Sequence, residues 1–302
     1  MKREVYKILL ESDLPVMEPV NVFLLAGDEL VMIDSGDGMD SSMKKLSDEL
    51  KNLGFELKDI STIINTHGHI EHFGGNAAIK DISGARILAH TLAVPLIEDM
   101  RNQVPPESEL KDLPEEISLY IRARSMMYED LRTTNVDLQL EDNESIPIDD
   151  YSLRIIHTPG HTRGHICIYE EEDEILFAGD LIMEKGTPYV GTLPGQYGDM
   201  ADFLRSLRRL KDLKIKRLLQ SHGKEVNDPY KKIEDTIQSK LAREMQLLEI
   251  LEGGGKTVTE LVDMIYGEGG LPYFTYGTVS AYLKKLKEDD KIREDGKYYR
   301  LV

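Results

Sequence analysis

The 302 residues include 55 acidic and 37 basic side chains, a formal net charge of −18, with 40% apolar residues and a single cysteine. That arithmetic excludes an internal disulfide framework, supplies enough apolar mass for a core without staples, and opposes any broad grip on polyanionic nucleic acid or membrane. The N-terminal MKREVYKILLESDLP lacks an apolar leader core, and no apolar run approaches the ~20 residues of a membrane span, so the expectation is a soluble, cytoplasmic protein without a membrane partner.

The first 36 residues read as strands: EVYKILLE (4–11), VNVFLLAG (20–27) and ELVMIDSG (29–36), with Gly27-Asp28 as a hairpin turn between the last two. Met43, Leu46, Leu50 and Leu53 then recur at i, i+3, i+7 and i+10, the stripe of an amphipathic helix that Gly54 ends. A strand over 60–64 runs into a histidine-rich loop at 66–75, followed by a helix at 76–82 and a strand at 85–90. This alternation predicts an α/β fold. Residues 91–135 read as helical and charged, broken at Pro95, Pro105, Pro106 and Pro114. Strands resume at 152–157, 165–170 and 174–179, and helices near 200–212 and 229–251 flank a strand near 216–220. Past Gly253-Gly254-Gly255 come helices at 257–266 and 275–288, then KIREDGKYYRLV with Asp295-Gly296 as a hairpin signal. Helix, helix, hairpin is the outline of a winged helix. From residue 241 onward nine basic and eleven acidic residues give −2, which leaves −16 for the rest.

Four stretches carry chemistry. In Thr66-His67-Gly68-His69-Ile70-Glu71-His72-Phe73-Gly74-Gly75, three of the eight histidines fall within six residues beside an acid. Imidazoles suit zinc or iron, and an added carboxylate suits a second divalent ion. His67 and His69, two apart after a strand, can share a direction, while Glu71 and His72 face a neighbouring point. The others are His157-Thr158-Pro159-Gly160-His161-Thr162-Arg163-Gly164-His165, the strand Leu176-Phe177-Ala178 running into Gly179-Asp180, and Leu218-Leu219-Gln220-Ser221 running into His222-Gly223. Each is a strand-end loop delivering a metal-ligand side chain, so together they read as one site on a rigid scaffold. His90 and His157 close apolar strands and read as structural; Cys167 reads as a small core residue. The glycine- and proline-rich loop after Asp180, with Tyr189 and Tyr197, reads as a pocket rim.

In these motifs, over roughly residues 3–225, the chain resembles the metallo-β-lactamase-fold hydrolases, whose first motif is His-x-His-x-Asp-His. The matching positions are His67, His69, Glu71 and His72, then His161, Asp180 and His222, the last three following at intervals of 89, 19 and 42 residues. The resemblance implies an αββα sandwich, with one divalent ion held by His67, His69 and His161. It implies a second held by Glu71, His72 and His222, with Asp180 bridging both. Zinc is the first choice of metal, with iron or manganese also compatible. Glu71 and Asp180 are then the catalytic carboxylates beside a metal-bound hydroxide, and Asp34 and His165 support the ligands from behind. Glu71 departs from the usual Asp, lengthening the reach by ~1.5 Å, one C–C bond.

The chain beyond residue 240 resembles the small winged-helix domain of hydrolases in the β-lactamase-like protein 2 and hydroxyacylglutathione hydrolase-like group. The expected division is therefore a catalytic unit at 1–240 and a winged-helix-like unit at 241–302, used for packing, dimerisation or the substrate rim. Relatives there include thioesterases and single-strand endoribonucleases. The first expectation is a metal-dependent hydrolase of a small ester or thioester. An endoribonuclease is the alternative that the charge opposes, and a non-catalytic oligomerisation protein, such as a homodimer, is the third. Sequence-specific DNA binding is not expected, because the second helix offers only Lys284, Lys285 and Lys287 before an acidic run.

Overall fold

The computed structural model describes residues 3–12, 18–126, 131–148, 151–195, 197–267 and 269–302. Two sheets lie face to face. The first has six strands in chain order: β1 (Glu4–Leu10), β2 (Val20–Ala26), β3 (Leu30–Ile33), β4 (Ile60–Asn65), β5 (Arg86–His90) and β6 (Leu138–Leu140). β1 to β3 are antiparallel and β3 to β6 parallel. The second sheet runs from β7 (Ser145–Ile148) through β8 (Tyr151–His157), β9 (Ile166–Glu170) and β10 (Ile175–Gly179) to β11 (Arg217–Gln220), with only the β10–β11 pair parallel.

Side-chain alternation builds three apolar layers from these strands. Phe23 and Leu25 of β2 point between the sheets, where they meet Ile155 of β8, Ile166 and Ile168 of β9 and Phe177 of β10. Val22, Leu24 and Ala26 point outward onto Leu46 and Leu50 of α1 (Asp40–Asn52) and Ile79 of α3 (Asn76–Ser83). On the far side, Cys167 and Leu176 pack beneath Phe203, Leu204 and Leu207 of α7 (Met200–Leu210) and Ile233 and Ile237 of α8 (Pro229–Glu252). Strands buried on both faces explain why β2 and β10 read as unbroken apolar runs. The αββα sandwich is therefore the fold.

The expected helical character of 91–135 is only partly realised. It comprises α4 (Val94–Glu98), a 3-10 turn at Met100–Gln103, α5 (Glu107–Leu110) and α6 (Glu115–Met126), and residues 131–135 are not helical. The prolines act as starts as much as breaks: Pro95 opens α4, and Pro106 and Pro114 directly precede α5 and α6, where a missing N–H costs nothing. β6 and β7 were not expected. Both are edge strands of three or four residues, and the proline in β7 (Pro147) is tolerated at an edge.

The C-terminal helices α9 (Val258–Tyr266) and α10 (Pro272–Glu288) and the hairpin β12 (Ile292–Asp295)–β13 (Tyr298–Leu301) follow as read from the sequence. α8 runs unbroken through residues 240 and 241. Leu247, Leu251, Leu261, Val279 and Tyr282 join the cluster built on Phe203, so this part packs directly on the second sheet's helix layer. Among the described residues no helix is long and apolar enough to cross a membrane.

Candidate metal centre

The histidine loop leaves β4 and enters the short helix α2 (Ile70–Phe73). Asp34 sets its shape. Its backbone is left-handed (φ 58°), a conformation an aspartate tolerates, and its side chain is 1% exposed. Oδ1 accepts the Thr66 backbone N–H at 2.8 Å; Oδ2 accepts the Thr66 hydroxyl at 2.9 Å and His72 Nδ1–H at 2.8 Å. The Thr66 hydroxyl in turn accepts His67 Nδ1–H at 3.1 Å. The His72 carbonyl takes the Ser35 N–H at 2.7 Å and the Asn65 amide at 3.1 Å. One carboxylate thus fixes the tautomer of two histidines and leaves both Nε2 atoms pointing the same way.

Backbone carbonyls do the same for the two distant histidines. Tyr189 O accepts His161 Nδ1–H at 2.8 Å, and Pro19 O accepts His222 Nδ1–H at 2.9 Å. Asn21 of β2 clamps the His222 loop by donating to Gln220 O at 3.0 Å and Gly223 O at 2.8 Å. His165 holds Asp180 through the main chain: its Nε2 accepts the Asp180 N–H at 3.0 Å while its Nδ1–H donates to Thr158 at 2.8 Å. Burial, with His161 next in effect, pushes the His165 pKa down to about 3, which keeps that Nε2 an acceptor. Gly179 permits the contact, since a Cβ there would sit 2.5 Å from His165 Nε2.

Two groups of donor atoms result, with the atoms of each within 4.8 Å of one another: His67, His69, His161 and Asp180, and His72, Asp180 and His222. His67 Nε2 and His161 Nε2 approach His69 Nδ1 to 3.0 and 3.1 Å. Asp180 lies between the groups. Oδ2 is 3.5 Å from His161 Nε2, whereas Oδ1 is 3.6 Å from His72 Nε2 and 3.4 Å from His222 Nε2.

The donors fit divalent ions. His72 Nε2 and Asp180 Oδ1 are buried without a hydrogen-bond partner, a costly arrangement that an ion relieves. Burial drives the pKa values of His67, His69 and His161 down, so the first group offers neutral imidazoles, the form that ligates. In the second group burial acts the same way, but Asp180 overcomes it, lifting His222 to about 9 and, with Asp34, His72 well above its ordinary value. Both shifts favour a proton on His72 and His222, the two histidines that face Asp180 Oδ1.

Glu71, expected as a ligand of the second ion, joins neither group. It lines the cavity above the centre, with Oε2 buried and unpartnered. His90 and His157 stack on each other with ring centres 4.0 Å apart, and neither joins these groups. Cys167 is a core residue, its thiol pushed up to about 12 by burial. Sequence reasoning missed Tyr189 O and Pro19 O, because a carbonyl acceptor has no side-chain signature.

Gly160 illustrates how tightly the His161 turn is built. At φ 131°, a Cβ on it would lie 2.3 Å from the backbone N and Cα of Phe203. Gly160→Ala is expected to exceed the ~1–3 kcal/mol of ordinary overpacking. The check is the urea midpoint at unchanged slope, and a shift of the midpoint near zero would contradict it.

The sequence pattern of the metallo-beta-lactamase superfamily matches residues 16–222. The chain belongs to that superfamily. Among its relatives is the beta-lactamase-like protein 2 homolog of Drosophila melanogaster, 27% identical over 285 residues, covering 92% of this chain and 85% of that protein. An atrochrysone carboxyl ACP thioesterase of Cryptosporiopsis sp. is 24% identical over 295 residues, covering 91% and 77%. The crystal structure of a metallo-beta-lactamase family protein from Thermus thermophilus superposes with a TM-score of 0.82 at 28% identity, covering 99% of this chain and 98% of that one. The protein is thus a metal-dependent hydrolase of the metallo-beta-lactamase superfamily, and its buried histidine–aspartate cluster is suited to divalent ions.

Proposed function

We propose that this metallo-β-lactamase-fold enzyme hydrolyses a small ester or thioester at a dinuclear centre, with zinc the preferred ion, in the cytoplasm. The observation that carries the reading is the position of Asp180. It sits between two histidine groups at the base of a cavity of about 770 Å³, a volume within the range of small-molecule sites. His67, His69 and His161 would hold one ion, His72 and His222 the other, and Asp180 both. Ions held there would supply an activated water near neutral pH and would polarise the scissile carbonyl oxygen.

The chain's own groups do the rest. Asp34, Tyr189 O and Pro19 O keep His72, His161 and His222 in the tautomer that presents Nε2. Glu71 Oε2, a buried acceptor in the cavity, would take a proton from the attacking water and return it to the leaving group. The thioesterase named among the relatives supports the acyl-transfer class. A surface at −18 opposes RNA, a long polyanion.

The test is a panel of acyl thioesters offered to metal-loaded and chelated protein. Turnover that chelation abolishes and stoichiometric divalent ion restores is expected. Sound metal loading with no turnover of any ester or thioester would refute the reading.

A further inference from the structure

The cavity walls above the histidines come from parts of the chain remote from the motifs. Tyr120 of α6 stacks on Tyr273 of α10 with ring centres 4.5 Å apart, and Phe274 meets Tyr189 edge-on at 5.0 Å. α8 contributes Lys240 and Arg243, one turn apart, to the same cavity. Lys240 is 4% exposed; its Nζ donates to Pro188 O at 2.6 Å and lies 5.4 Å from the Phe203 ring centre. The Arg243 guanidinium donates to Gln246 at 2.7 Å and sits 4.9 Å from the Tyr266 ring centre.

In this protein 55 acidic side chains outnumber 37 basic ones, so acids are plentiful partners for cations. Lys285, for example, reaches Glu244 at 2.8 Å and Asp289 at 2.6 Å. Among the described residues neither Lys240 nor Arg243 has a carboxylate partner. A buried cation without an anion is costly, and such groups persist where a ligand supplies the missing charge. Burial, with Arg243 beside it, pushes the Lys240 ammonium down to about 7, the signature of charge left uncompensated.

We propose that Lys240 and Arg243 seat an anionic group of the substrate, so that the substrate is a flat, apolar acyl ester or thioester carrying an anion remote from its scissile carbonyl. This rests on the ester and thioester reading of the same cavity. The aromatic walls take the acyl body and the histidine floor takes the labile bond. The anion is a carboxylate on the acyl part or a phosphate on the thiol arm, which offer the two cations the same chemistry.

Calorimetry on the metal-loaded protein separates these with three non-hydrolysable thioethers: a neutral aryl compound, its carboxylate derivative, and the neutral aryl group on a phosphopantetheine arm. At least one charged analogue is expected to bind about tenfold or more tighter than the neutral one, the size of a charge-assisted contact. Whichever analogue gains identifies the source of the anion. Arg243→Gln should bring that ratio to within about twofold, and Arg243→Lys should retain most of it. Equal Kd values for all three in the wild type overturn the proposal. So does a preference that survives Arg243→Gln combined with Lys240→Gln, because the anion then binds at the histidine floor. No bond is cleaved in this experiment. Charge preference without thioester turnover would therefore refute the proposed reaction while upholding the anion seat.

Discussion

Asp180→Asn is expected to abolish the proposed thioester hydrolysis and to release metal while leaving the fold intact, the largest effect expected of any single change. The replacement keeps the side-chain volume, and the backbone N–H that His165 Nε2 accepts at 3.0 Å is untouched. What disappears is the negative charge whose two oxygens face the two histidine groups, with Oδ2 toward His161 and Oδ1 toward His72 and His222. Loss of a partner behind a ligand costs ~10–100-fold in affinity or activity, and loss of a shared ligand should exceed that range. Metal content and kcat/KM of the variant check it together. A variant with full metal content and activity within tenfold of wild type would show that Asp180 bridges nothing.

Asp34→Ala is the second large effect, and it falls on stability as well as activity. The carboxylate is 1% exposed and accepts from the Thr66 N–H, the Thr66 hydroxyl and His72 Nδ1–H, so truncation leaves buried donors with nothing to bond. Removing one partner of a buried charged network costs about 3–5 kcal/mol. The His72 tautomer also loses its determinant, so metal affinity should fall ~10–100-fold. Asp34→Asn tolerates the left-handed backbone and keeps an acceptor for the Thr66 N–H, so its stability loss should be the smaller of the two. Denaturant unfolding of the two metal-free variants separates the contributions. Equal stability of both would mean that the hydrogen bonds contribute little.

The donor cluster was legible in the sequence because its histidines and Asp180 sit at strand ends, where the chain must turn. Short loops after β4, β8, β10 and β11 leave the donor side chains little freedom once the sandwich forms. Asp34 was legible for the same reason, standing directly after β3. Glu71 was expected as a ligand of the second ion, but sequence spacing could not say that its carboxylate lies in the cavity outside both donor groups. β6 and β7 escaped because three- and four-residue edge strands, one with a proline, carry too few alternating positions to stand out from loop. The aromatic and cationic walls escaped for another reason. Tyr120 and Tyr273 lie 153 positions apart, and nothing local in either helix announces their stacking. Lys240 and Arg243 went unnoticed because nothing local on a long helix sets them apart from other polar positions; only the fold brings them into one cavity with residues of α6 and α10.

The opening charge of −18 also takes a more definite meaning. It is a sum over the whole chain, whereas the cavity combines histidines and the acids Glu18, Glu71 and Asp180 with aromatic walls and two cations, Lys240 and Arg243, that have no carboxylate partner among the described residues. A small anionic substrate is therefore compatible with a strongly acidic protein, and a long polyanion is not.

The most direct test of the dinuclear hydrolase is the number of divalent ions held per chain. Protein loaded with zinc, freed of excess ion by dialysis and measured by elemental analysis should hold two equivalents, with thioester hydrolysis rising as they bind. A value of one or below would contradict a centre in which Asp180 serves both histidine groups.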